Sequence, residues 1–100
     1  MSGYSHEEAA IDWLHEHFRG KDTLGHLRAR KRARVVTVES GPATDPISHV
    51  RFRRDTVSLW LLEMPTHDGR WEVTPYRDRL STLMELVETE FYWMIAAQES

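Results

Sequence analysis

Apolar residues in the first twenty positions recur every three or four: Ala10, Ile11, Leu14 and Phe18, with Trp13 beside them. That period predicts an amphipathic helix over about residues 5–19. Ser5 with Glu8 three residues on forms a capping box at its start, and Gly20 is its natural stop. After Lys21 the pattern weakens: Asp22 or Thr23 can cap a short helical turn that Gly25 opposes. The period changes to two from Ala33 to Ser40, where Val and Thr favour a strand. Gly41–Pro46, with two Pro and a Gly, is a loop. His49–Arg53 reads as a second strand with Val50 and Phe52 on one side and Arg51 and Arg53 on the other. Arg54-Asp55 is expected to turn the chain into a third strand.

The stretch from Thr56 to Tyr76 carries the strongest strand signal, two alternating runs around Pro65-Thr66-His67-Asp68-Gly69. Asp68-Gly69 supplies the positive φ that a tight reversal needs. The odd-numbered set, Val57, Leu59, Leu61, Trp71 and Val73, is apolar on both strands and is the expected core face. The even-numbered set mixes Trp60, Leu62 and Tyr76 with Ser58 and Thr74. Asp78 is then expected to cap a last helix whose stripe is Leu80, Leu83, Met84, Val87, Phe91, Met94 and Ile95. Tyr92 and Trp93 fall off that stripe. The predicted fold is one α+β domain over residues 1–100, a four-stranded antiparallel meander flanked by an N-terminal and a C-terminal helix. Both helices on one face is the simplest packing, and one on each face competes with it.

Composition narrows this little. Zero Cys excludes disulfides, thiolate metal sites and a Cys nucleophile. No apolar run approaches the ~18 residues of a membrane span. The first residues have early acids and no basic stretch before an apolar one, so no signal peptide is expected and the cytoplasm is the default. The placing of charge is more informative than the net −3. Residues 1–18 hold four acids and no Lys or Arg, residues 19–54 ten Lys/Arg against three acids, and residues 55–100 three Arg against nine acids. A basic middle lies between acidic ends.

Catalytic motifs are missing: there is no nucleophile elbow, phosphate-cradling loop or dinucleotide fingerprint. His15 and His17, two apart on a helix, cannot chelate one ion, and neither a metal nor a cofactor is expected. His67 belongs to a solvated turn and His49 to the surface. Glu63 and Glu72 fall on opposite faces, so paired-carboxylate chemistry has no support. The expected function is a small binding module that self-associates as a homodimer or docks a protein partner. Trp60 and Leu62 would anchor it, with Arg51, Arg53 and Tyr76 as the rim, since Trp, Tyr and Arg are enriched at hot spots. The alternative is nucleic-acid binding by Arg28, Arg30, Lys31, Arg32 and Arg34, extended by Arg51, Arg53 and Arg54. If strand-like, the arginines of the run form a comb for phosphates; against this, they can pair with acids of the helices. An enzyme of unknown reaction is the weakest reading.

Overall fold

A computed structural model describes residues 5–56 and 58–97. The elements in order are α1 (His6–Arg19), a 3-10 turn (Asp22–Leu24), β1 (Arg28–Arg32), β2 (Val35–Ser40), β3 (Ile47–Arg54), β4 (Trp60–Pro65), β5 (Trp71–Asp78), α2 (Leu80–Glu90) and α3 (Tyr92–Ile95). The strands form one antiparallel sheet in sequence order, β1-β2-β3-β4-β5. The α+β meander is as expected, but it has five strands rather than four. The added strand is the arginine run itself. Arg32 pairs with Val35, so Ala33 and Arg34 form a two-residue turn, and Ala33 takes the positive φ of 54° that such turns require.

Cross-strand partners share a face of a sheet, so the register assigns every strand residue to a side. Ala29, Val38 and Val50 form one row, and Val36, Phe52 and Leu62 another. These rows join Ala10, Leu14 and Phe18 of α1 and Leu83, Met84 and Val87 of α2 in one buried cluster. Both helices therefore cover the same face. Α1 lies over β1 and β2, and α2 over β4 and β5.

This register reverses the expected parity of β4. Trp60 is 5% exposed and Leu62 wholly buried, whereas Leu61 is half-buried and Val73 is 59% exposed. Strand β4 starts at Trp60 rather than at Thr56: the amides of Asp55 and Thr56 both donate to Leu59 O. Val57, expected in the core, lies outside the described residues. The expected tight Arg54-Asp55 turn is replaced by this longer link, which shifts the strand that follows.

Caps and bulges set the rest. The Ser5 hydroxyl accepts from the Glu8 amide at 3.1 Å and donates to its carboxylate. Gly69, at φ 84°, closes the β4–β5 hairpin. Asp78 ends β5 and accepts from the Arg79 amide, so α2 begins without a side-chain cap, contrary to expectation. The last helix is not continuous: Phe91, at φ −129° and ψ 33°, separates α2 from the one-turn α3. A bulge between Val38 and Glu39 leaves His49 as the extra residue of β3. His49 is 2% exposed rather than on the surface, and it reaches Ser40 Oγ and the α3 carbonyl of Met94, each at 2.7 Å. Burial pushes its imidazole below the ordinary histidine range. His26 binds the next carbonyl, Ile95 O, at 2.7 Å. Two imidazoles thus hold α3 by its last carbonyls.

The edges are managed differently. On β1 the Ala29 amide donates to His15 Nε2 of α1 at 3.0 Å, and the strand is otherwise Arg and Lys. On β5, Pro75 sits within the irregularity opposite Leu62, where a missing donor is tolerated. Among the described residues no helix is long and apolar enough to cross a membrane.

Candidate functional site

Because the helices lie on one side, no element among the described residues covers the other face of the sheet. Two rows cross it. Arg32, Val35, Arg53, Leu61 and Arg77 follow one another across the five strands, and Arg30, Thr37, Arg51, Glu63 and Val73 form the parallel row. Arg28 and Glu39 begin a third. Arginine thus falls on alternate strands β1, β3 and β5. With strands ~4.8 Å apart, Arg53 stands about 10 Å from Arg32 on one side and from Arg77 on the other, and the rows are separated by about 6.7 Å along the strands.

Two carboxylates organise the cations. Glu63, 1% exposed, accepts from Arg51 Nε and, at 2.9 Å, from Arg53 Nε. Burial pushes the Glu63 carboxyl up, but the hydrogen bonds from Arg53 and Arg51 outweigh it and hold the group below the ordinary carboxylate range. Glu39, 3% exposed, accepts from Arg28 Nε at 3.2 Å and faces Arg30 Nη2 at 3.6 Å. Arg28 also donates to Gly41 O at 2.6 Å. Each carboxylate serves two guanidinium groups, so each set keeps a net positive charge with its planar forks oriented. Arg77 is 3.0 Å from Asp55 at the rim. The Arg51 guanidinium lies over the Trp71 ring, 4.5 Å from its centroid.

The residues expected to act divide between the two faces. Arg28, Arg30 and Arg32 do form a comb, and Arg51 and Arg53 extend it. Lys31 points to the helix side, 3.8 Å from Glu8 of α1, and Arg54 binds Glu7 there. Burial raises the Glu7 carboxyl, yet the Arg54 hydrogen bond and charge, together with a backbone amide, lower it overall. Arg34 belongs to the hairpin turn, where it reaches Asp55 O at 3.4 Å. The pairing of basic residues with helix acids thus holds for Lys31 and Arg54, while Arg28, Arg30, Arg51 and Arg53 use acids of the sheet. Trp60 and Leu62 are core residues and are not available as surface anchors, because their strand neighbours Arg54 and Phe52 face the helices.

Tyr76 lies apart from the arginines, on the helix side of β5. Its ring meets Phe91 at 5.8 Å, Phe91 meets Trp93 at 5.8 Å, and Trp93 meets Tyr92 at 5.5 Å. Tyr92 and Trp93 are well exposed. This strip borders an open groove lined by Thr82, Glu85, Leu86 and Glu90.

Sequence reasoning passed over Glu39, Glu63, Trp71 and Arg77 as members of the face. The signal for the first two was the match of Arg-x-Arg spacing on one strand to an acid on the next, visible only once the strands are paired. The Ser40–His49 pair has the hydrogen bond of a nucleophile and its base, but both are closed in the core, so a substrate has no approach. Among the described residues no three His, Asp or Glu come together as a metal site. No family model, curated protein or solved structure matches the chain.

Proposed function

We propose that the protein is a binding module whose open, arginine-bearing sheet face docks a polyanion, with a nucleic-acid backbone as the first class of partner. The observation that carries this reading is the recurrence of arginine on alternate strands of the face that no helix among the described residues covers. Six arginines stand there: Glu39 and Glu63 orient four of them in pairs and Asp55 binds Arg77, so the face keeps a net positive charge. Phosphates are recognised by such forks, and backbone contacts position a nucleic acid without reading its sequence. The test is binding of an oligonucleotide across a salt series. Five phosphate contacts give a slope of log K against log salt of about −3.5 for a single strand and about −4.5 for a duplex. Arg30→Ser with Arg32→Ser should weaken binding and flatten the slope. Absence of binding at low salt removes the reading.

A protein partner or a second copy of the chain is the second reading, favoured by the exposed strip of Tyr76, Tyr92 and Trp93. Exposed aromatic patches of this kind mark docking surfaces. Mass in solution separates it from the first: a dimer that Trp93→Ser disperses supports it, and a monomer at all concentrations removes self-association.

A further inference from the structure

Charge explains attraction of a polyanion but not which kind. We infer that the open face takes single-stranded nucleic acid, with a base stacked on the Arg51–Trp71 pair; this rests on the polyanion reading of the same face. Three features select the single strand. Among the described residues no helix projects from the face, and a five-stranded sheet about 19 Å across is wider than the ~12 Å major groove, which admits a helix or a two-stranded ribbon. Among the described residues the aromatic side chain that stands with its arginines is Trp71, half-buried, with the Arg51 guanidinium 4.5 Å from its ring centroid. Arg51 is in turn fixed by Glu63, which also holds Arg53. A planar group held from two sides loses little freedom when a base lies against it, and unstacked bases settle on aromatic or guanidinium planes.

The placement also matches a strand crossing the sheet. Arg32, Arg53 and Arg77 make a row at right angles to the β-strands, and Arg51 belongs to the adjacent row, beside Arg53 on β3. A backbone following the first row leaves its bases over the Arg51 row and over Trp71, which pairs with Pro65 one row further on. Val73, on the second row and 59% exposed, adds an apolar surface for the same base or its neighbour.

Three probes of matched charge separate the terms: a short single-stranded oligonucleotide, the same sequence as a duplex, and inorganic polyphosphate. The single strand is expected to bind the wild-type protein at least about ten-fold more tightly than the other two, the scale of one base–aromatic stack. Trp71→Leu should abolish that preference while polyphosphate still binds. Arg51→Lys, which keeps the charge but loses the plane, should abolish it too and guards against a folding defect in the first variant. Equal binding of all three probes by the wild type overturns the stacking inference and leaves the polyanion reading standing. A preference retained in both variants overturns the assignment to Arg51 and Trp71. Failure to bind any probe at low salt removes the polyanion reading and this inference with it.

Discussion

Trp60→Ala tests the parity on which every assignment to a face depends. Trp60 is 5% exposed and pairs with Arg54 and Asp78, on the side of the sheet that meets the helices. Truncating a buried aromatic residue costs about 3–5 kcal/mol, from lost transfer energy and the cavity left behind. A domain of this size has roughly 5–15 kcal/mol of stability in total. The variant should therefore lose a large share of it and melt more than about 10 °C lower. The assay is urea unfolding at low and high protein concentration, with the midpoint and slope read separately. Trp71→Ala is the control, since Trp71 is half-buried on the open face and leaves no closed cavity.

The competing outcome is distinct. A surface anchor would leave monomer stability nearly intact and weaken association by about 2 kcal/mol or more. An unchanged midpoint in Trp60→Ala, with an effect only at high concentration, would refute the core assignment. It would also turn the arginine rows toward the helices, and the proposed docking face would disappear with them.

Leu83→Ala, at a site 1% exposed, should cost about 2–5 kcal/mol in the same urea assay; an unchanged midpoint would show that α2 packs by another face. Ala33→Gly should raise stability by about 0.5–1 kcal/mol, because φ 54° is strained for alanine and free for glycine; thermal melting checks it. On the acid side two waves are expected. His49 has a depressed pKa, so the unfolded chain takes up its proton first, and stability should begin to fall below about pH 6.5; His49→Gln should flatten that part of a urea–pH profile. Glu7, Glu63 and Glu88 (the last bound by Lys21 Nζ at 2.8 Å and His17 Nε2 at 2.7 Å) are depressed carboxylates whose stabilisation is present above about pH 4.3 and lost as pH falls through their folded values; a stability constant between pH 5 and 2 would contradict their pairing.

The helices were legible because each carries one unambiguous stripe. Leu14 and Phe18, and Leu83, Met84 and Val87, are buried where their period puts them. The break at Phe91 was hidden, since the apolar period runs straight through it. The sheet was legible as a meander but not in its faces, and the cause is specific. Leu59 and Leu61 are as apolar as Trp60 and Leu62, so alternation within β4 has two equal solutions. What decides is the neighbour: Phe52 pairs with Leu62, and Arg51 with Glu63. The five-residue link from Asp55 to Leu59 sets that register, whereas the sequence predicts a two-residue turn at Arg54-Asp55. The first strand was obscured by the opposite problem, an apolar content too low to signal burial. An edge strand of Arg-Ala-Arg-Lys-Arg needs only Ala29 inside, and its charges guard the edge.

The net charge of −3 looks unfavourable for a face that meets polyanions, but distance resolves the conflict. Strand alternation sends Arg28, Arg30, Arg32, Arg51 and Arg53 to one side, while exposed acids such as Asp12, Glu16, Glu85 and Glu90 stand on helices across the sheet. Those helices are about 10 Å thick, so acids on their outer surfaces lie well beyond the Debye length of ~8 Å at physiological ionic strength. An approaching polyanion therefore meets the local field of the arginines rather than that of the whole molecule. Near 0.01 M salt the screening length grows to ~30 Å and the acids are felt again. Affinity should consequently rise less steeply at very low salt than the number of arginine contacts gives, and the curvature would carry the signature of a charge-divided domain rather than a uniformly basic one.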